Sequence, residues 1–301
     1  MRRCRAPNEI LRCAQDDIAQ AGSDVKLRDA AVLDIAFVRA ASTITRMQTT
    51  QAKTGIERPL RISHRGGGSL APENSLEGIA TALRYGVEMI EVDVRRAADG
   101  ALVLSHDDIP HGGTRSIRAS SLEELRRDTP HIATLDEALD AIGARARVNL
   151  DIKDGVVVEP MLDAVRTHNM LDNCITSCLD ITCLARVAAA EPGIRRFFSY
   201  PPDYGGASSK AWMKPVVTAA VAAMRATMPM RIERMLRPAP GTNATIYAPL
   251  ITRRLVARAA GLGIELYAWT VDDATEMRRL AALGVGAITS NRPDLLAQLY
   301  A

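Results

Sequence analysis

The chain has 301 residues, 47% of them hydrophobic and 24% charged, with a formal net charge of +3 at pH 7. That length and balance suit one large α/β barrel or two ordinary domains, with a core large enough to need no disulfide or metal staple. The small charge gives no electrostatic reason to expect nucleic acid or an anionic membrane as the main partner, and no apolar run reaches the roughly 18 residues of a membrane span.

The basic start, Met1 to Arg5, is soon followed by Asp16 and Asp17 and lacks the apolar core of a secretory signal, so a cytoplasmic location is expected. The cysteines, Cys4, Cys13, Cys174, Cys178 and Cys183, are odd in number and show no framework spacing. Free buried thiols in a reducing compartment are the expectation. The cluster 174/178/183 has no CxxC pair and no neighbouring His, so a soft-metal role is set aside.

In chain order, residues 1–57 differ from the rest. They read as an N-terminal appendage with one helix near 26–39, followed by a barrel domain over 58–301. "LRIS" at 60–63 is a short strand, and a helix follows over 75–85. "VEMIEVDV" at 87–94 and "ALVLS" at 101–105 are strands joined through Asp99-Gly100, a hairpin signal. A helix at 134–142 leads to a strand at 147–153, a helix at 156–168 to a strand at 174–178, and a helix at 181–190 to a strand at 194–200. An Ala- and Met-rich helical region spans 208–236. Strands at 244–248, 264–271 and 286–290 close the series, with helices at 251–261 and 273–283 between them.

With 101–105 set aside as a hairpin arm, eight strands alternate with helices. The expected fold is an α/β, (β/α)8 TIM-type barrel with a short insertion after the second strand. Such barrels carry their chemistry at the C-terminal ends of the strands. Polar residues collect at those ends here: His64 and Arg65 after the first strand, Glu91 and Asp93 on the second, His106 after the hairpin arm, Asp151 and Lys153 on the third and Trp269 on the seventh.

Glu91 and Asp93 stand two apart on a strand, so both point to one face. Two carboxylates inside a barrel are costly unless a cation or base neutralises them. With Asp151 at a similar depth, the three form a candidate site for one hard divalent cation, Mg2+ or Ca2+. His64 and His106 flank that mouth, and imidazoles titrate near neutrality, which suits general base and general acid. Arg65 offers a planar fork for phosphate oxygens and Lys153 a point charge. The run Gly66-Gly67-Gly68 either lets backbone N–H groups approach an anion or serves the turn alone.

The ordered motifs "HRGGGSLAPENS", "GVEMIEVDV", "DGALVLSHDD", "NLDIKD", "AWTVDD" and "GVGAITSNRPD" resemble those of the glycerophosphodiester phosphodiesterase family, over about Arg61 to Leu296. The resemblance implies a barrel enzyme that hydrolyses glycerophosphodiesters to glycerol 3-phosphate and an alcohol, with a small-molecule diester as its partner. It implies His64 and His106 as the acid/base pair and Glu91, Asp93 and Asp151 as metal ligands. It places Arg65 and Lys153 on the phosphate, gives Glu73 a part in orienting His64 or its loop, and sets Trp269 in the substrate cleft. Three departures stand out. Asp151 replaces the usual Glu, "GVGAITSNRP" lacks an acidic residue, and the segment 107–133 is short, which suggests an open cleft.

Two other functions remain open: a lysophospholipase D-type hydrolase, and a non-catalytic barrel that binds phosphate esters. The 208–236 region is read as a helix packing on the barrel, with part of its surface open to a second copy in a homo-oligomer. A peripheral membrane contact is the lesser reading.

Overall fold

A computed structural model of the chain describes residues 58–202 and 211–301. The appendage over 1–57, its expected helix, Cys4, Cys13 and the start of the 208–236 region lie outside the described residues. Nine strands form one sheet: β1 (Leu60–Ser63), β2 (Met89–Arg96), β3 (Leu102–Leu104), β4 (Arg147–Ile152), β5 (Cys174–Cys178), β6 (Arg195–Tyr200), β7 (Asn243–Tyr247), β8 (Leu266–Trp269) and β9 (Ala287–Ser290). Eight of them are parallel, and β1 pairs with both β2 and β9, which closes the barrel. The connecting helices are α1 (Leu76–Arg84), α2 (Leu122–Asp128), α3 (Leu135–Ile142), α4 (Val158–Thr167), α5 (Ile181–Ala190), α6 (Lys214–Leu236), α7 (Arg253–Gly261), α8 (Ala274–Leu283) and α9 (Pro293–Leu299).

The strands bury both faces, as a parallel sheet covered by helices requires. On β2 every residue from Met89 to Val94 is buried. Outward-facing Ile90, Val92 and Val94 pack under the helices with Leu139, Leu150 and Leu184. A second such layer gathers Ile246, Leu255, Met277, Leu280 and Leu296. A third cluster holds Ile62, Met89, Ile175, Phe197, Tyr267 and Ala287. These come from strands on opposite sides of the barrel, so they meet through its interior. The rings of Phe197 and Tyr267 stack there at 4.1 Å. Each fully buried large side chain contributes about 1.5–3 kcal/mol. Moving two residues along the same face from Ile62, Met89, Ile175 and Tyr267 reaches His64, Glu91, Ser177 and Trp269. The apolar layer is therefore the floor of the polar mouth.

β2 has eight residues and a divided edge. Met89 and Ile90 pair with β1, whereas Val94 to Arg96 pair antiparallel with β3. The expected hairpin is present, and Ser105 N–H donates to the Asp93 carbonyl at 3.0 Å. The β2 edge vacated by β1 is where the chain after His64 turns.

Two helices were not expected. α2 begins at a capping box, in which Ser121 and Glu124 each accept from the other's backbone N–H. It covers a small core of Ala97, Val103, Ile117, Leu125 and Ile132. The 107–133 insertion is thus a packed lobe. α9 starts with Pro293 in its first turn. Cys174, Cys178 and Cys183 are free and buried, and burial pushes the Cys174 thiol up to about 12.

Glu88, just before β2, accepts from Arg58 and Arg61 on the β1 side at 2.7–3.2 Å. Burial alone would raise its pKa, but these hydrogen bonds hold it at about 2. A carboxyl depressed from 4.5 stabilises the fold above its unfolded pKa and loses that contribution as pH falls toward the folded value. Glu88→Gln is therefore expected to lower stability by about 1–2 kcal/mol at pH 7, after discounting for its partial exposure. The difference should shrink between pH 4.5 and 2, as read by urea melts across that range.

Candidate active site

Glu91 and Asp93 lie within β2, Asp151 and Trp269 near or at the ends of β4 and β8, and His64, Arg65, His106 and Lys153 just beyond strand ends, while Glu73 lies in the loop before α1. The three carboxylates come together: Glu91, Asp93 and Asp151 are buried, and each offers an oxygen within 4.8 Å of the others. β2 and β4 run in register, with Asp93 opposite Asp151. Lys153 spans the pair, its ammonium 2.8 Å from Asp93 Oδ1 and 2.5 Å from Asp151 Oδ2. Burial alone would lower the Lys153 pKa, but Asp151, Asp93 and Glu91 raise it above the ordinary lysine value. Ser177 Oγ donates to Asp151 Oδ1 at 2.5 Å. Asn74 holds Asp93 twice, donating from Nδ2 at 2.7 Å and accepting the Asp93 N–H at 3.0 Å.

Glu91 is the uncompensated member. Burial, then the charges of Asp93 and Asp151, push its carboxyl well above the usual range. Asp93 goes the other way: burial would raise it, yet Lys153, His106 and Arg65 hold it far below. Glu91 accepts the Arg65 backbone N–H at 2.7 Å. Three all-oxygen donors, one of them short of positive charge, fit a hard dication. Lys153 supplies part of that charge in the structure.

His64 is set by a chain of side chains absent from the sequence-based expectation. Its Nδ1 lies 2.7 Å from Asn291 Oδ1. Asn291 Nδ2 and N–H donate to Asp272 at 2.9 and 2.8 Å, and Ser290 Oγ donates to the same carboxylate. With the amide NH2 on Asp272, Asn291 presents its oxygen to the ring, so Nδ1 carries the proton. The lone pair of Nε2 then faces the carboxylates, 3.9 Å from Glu91 Oε2. Burial and Arg65 lower the imidazole pKa against the opposing pull of Asp93 and Asn291, so the ring is neutral at pH 7.

His106 is half-buried, with Nδ1 3.0 Å from Asp107 Oδ1. Arg95 donates two hydrogen bonds to the His106 carbonyl, at 3.1 and 2.7 Å, and fixes its backbone. Burial and Lys153 lower its pKa, opposed by Asp93. Glu73 reaches neither histidine. Its Oε2 accepts from Arg65 Nη1 at 2.7 Å, so it orients the guanidinium, whose Nε stands 3.7 Å from Asp93. Of the two parts open to Glu73, His64 or its loop, the contact is with the loop residue Arg65, and Asn291 is the side chain on His64 Nδ1. Trp269 ends β8, donates from Nε1 to the Thr245 carbonyl and meets Tyr247 edge-on at 6.3 Å.

The glycine run serves packing. Gly66 and Gly68 have φ of +82° and +62°, and their N–H groups donate to the carbonyls of Glu91 and His64. A Cβ on Gly67 would stand 2.8 Å from Gly78 of α1, and one on Gly68 2.3 Å from the Asn291 carbonyl. Two of the three amides are thus committed within the protein, and the run brings β1, α1 and Asn291 into contact.

Asn74, Asn291 and Asp272 all lie inside motifs already noted, "APEN", "SNRPD" and "TVDD". For Asn291 and Asp272 a position just past the ends of β9 and β8 was the available signal; Asn74 stands just before α1.

The sequence profile of the glycerophosphoryl diester phosphodiesterase family matches residues 64–295. A glycerophosphodiester phosphodiesterase of Caldanaerobacter subterraneus subsp. tengcongensis is 27% identical over 261 residues, covering 80% of this chain and 97% of its own length. Glycerophosphodiester phosphodiesterase GDPD4 of Arabidopsis thaliana is 29% identical over 267 residues, 80% of this chain and 73% of its own. Among solved structures, an Oleispira antarctica phosphodiesterase in complex with the product sn-glycerol-3-phosphate superposes with a TM-score of 0.64 at 22% identity, covering 80% of this chain and 95% of that one. The match over most of the barrel, with every strand-end motif inside it, places this chain in the glycerophosphoryl diester phosphodiesterase family.

Proposed function

We propose that the mouth of this barrel hydrolyses glycerophosphodiesters to glycerol 3-phosphate and an alcohol. The observation that carries this reading is the meeting of Glu91, Asp93 and Asp151 beside the Nε2 face of His64. These carboxylates would hold one divalent cation, Mg2+ or Ca2+, whose chemistry is to polarise a phosphate and offset its developing charge. Arg65, held by Glu73, presents a fork to the phosphate oxygens. Lys153 adds a charge that two carboxylates now share. One imidazole takes the proton of the attacking hydroxyl, from water or from the glycerol itself, and the other gives a proton to the leaving alkoxide. Trp269 lines the cleft beside Tyr247 and receives the apolar face of the glycerol or alcohol.

The test is release of glycerol 3-phosphate from a panel of small diesters. EDTA is expected to abolish release, and Mg2+ or Ca2+ to restore it, with the better ion giving the native choice. A chelated protein that keeps full turnover would overturn the cation reading. A protein inert toward every diester with every ion would overturn the activity.

Asn291 is a positioning residue in this reading. Asn291→Ala frees His64 Nδ1, so the ring can rotate and exchange tautomers. Turnover is expected to fall about tenfold with KM little changed, and the pH profile to shift where the His64 limb lies. A purely structural role would lower stability and leave that limb in place.

A further inference from the structure

Eight of the ten exposed large apolar side chains among the described residues lie on the strand-to-helix side of the barrel, where the chain leaves the C-terminal ends of strands. They come from separate segments. Leu70 follows β1, Ile109 follows β3, Val156 follows β4, Leu179 follows β5, and Trp212 and Val216 follow β6. The topology sets these connections around the same mouth that holds the carboxylates. An exposed apolar set gathered on one face marks an interaction surface, whereas scattered single residues need no explanation.

α6 extends this face. It has 23 residues, while the other helices have 7–10. At 1.5 Å per residue it is about 34 Å long, roughly twice the span of its neighbours. Its C-terminal half packs on the barrel through Met228, Ile232 and Leu236, but no residue from 212 to 227 is buried. The overhang is therefore at its N-terminal end, the end that follows β6 at the mouth. Trp212 is 77% exposed and Val216 61%. The helix was expected to pack along the barrel; it does so from Val221 onward, where Val221 and Met224 are half-buried against the core, while Trp212 and Val216 stand exposed at its start. The stretch 212–225 carries Lys214 and Arg225 and no acidic residue.

We infer that this rim, led by Trp212 and Val216, docks on the surface of a lipid bilayer that carries anionic headgroups. An aromatic ring and short aliphatic side chains flanked by basic residues are the composition that seats at a headgroup boundary. The rim borders the way to Glu91, Asp93 and Asp151 from the connections after β1 and β3 to β6, so a rigid protein partner or second copy spanning it would lie across the site. A bilayer covers the same residues and brings phosphodiesters to the opening. The inference draws on the proposed function for what enters the mouth, and its test does not.

The full chain is spun with vesicles of phosphatidylcholine and phosphatidylglycerol (3:1) and with vesicles of phosphatidylcholine alone. Co-sedimentation is expected with the mixed vesicles and should weaken on removing the anionic lipid or adding salt. Trp212→Ser/Val216→Ser is expected to cut the bound fraction at least tenfold. Ile109→Ser/Leu179→Ser, from other connections, should cut it as well. All four residues are exposed, so melting temperature and turnover of soluble glycerophosphocholine should hold within twofold. A parent chain that stays in the supernatant with both vesicles, or variants that bind as well as the parent, would overturn the proposal. So would a concentration-dependent dimer in sedimentation velocity that the rim substitutions abolish without any vesicle binding. Loss of hydrolysis with vesicle binding intact would count against the activity alone.

Discussion

His64→Ala and His106→Ala are each expected to lower turnover of a soluble glycerophosphodiester by at least about a hundredfold, the loss typical of an acid or base positioned in the transition state. The two losses should differ in pH dependence, because the two rings are held differently. His64 has one nitrogen committed to Asn291 and the other facing the carboxylates, in a buried site that keeps it neutral. His106 is half-exposed beside Asp107 and takes its place from the β2–β3 hairpin and Arg95. Thermal stability should change less in His106→Ala, since that ring is half-exposed and makes its one side-chain contact with Asp107. Replacing His64 removes the partner of the Asn291–Asp272 pair and should cost more. Release of glycerol 3-phosphate by both purified variants, against melting temperature, separates chemistry from folding. Near-parental turnover in both would remove the paired-imidazole mechanism.

What the sequence made legible follows from how strongly a residue's neighbours in the chain specify its environment. Glu91 and Asp93 were readable because alternation on a strand fixes their common face, and a buried acidic pair has few structural uses. His106 was readable through the Asp99-Gly100 turn, which sets the hairpin register that brings Ser105 opposite Asp93. For Glu73 the choice between His64 and its loop stayed open because it lies in a loop, where no periodicity says which way a side chain points; its contact is with Arg65. Asn291 and Asp272 showed only a position just past strand ends, which does not name a partner. Their contact with each other and with His64 spans β1, β8 and β9, and only barrel closure creates it. α2 was missed although Ser121 and Glu124 form a capping-box spacing, because the short segment has no long apolar period to draw attention. The overhang of α6 was hidden for a related reason. Its Ala, Val and Met residues read equally well as a packed helix or an exposed one, and only the structure shows that packing starts near Val221 and leaves Trp212 and Val216 exposed.

Glu91→Gln separates the price of the site from its use. In the metal-free protein Glu91 is a buried carboxyl whose folded pKa lies above the unfolded value of 4.5, owing to burial and then to Asp93 and Asp151. For a raised carboxyl the sign is the reverse of the Glu88 case. The folded state binds the proton more tightly, so stability falls as pH rises from 4.5 through the folded pKa. A glutamine keeps an oxygen for the Arg65 N–H and removes the charge. Metal-free Glu91→Gln is therefore expected to melt at or above the parent at pH 7, and to match it near pH 4. Addition of the preferred divalent ion should reverse the order. The parent gains about 2.7 kcal/mol at a hundredfold excess over its dissociation constant, while the variant, short of one anionic ligand, gains little and loses turnover. Calorimetric melts with and without the ion, at both pH values, read all four states. If metal-free Glu91→Gln instead melts several degrees below the parent at pH 7, Glu91 is already balanced by Lys153 and Arg65, and the case that this cluster wants a dication fails on energetic grounds.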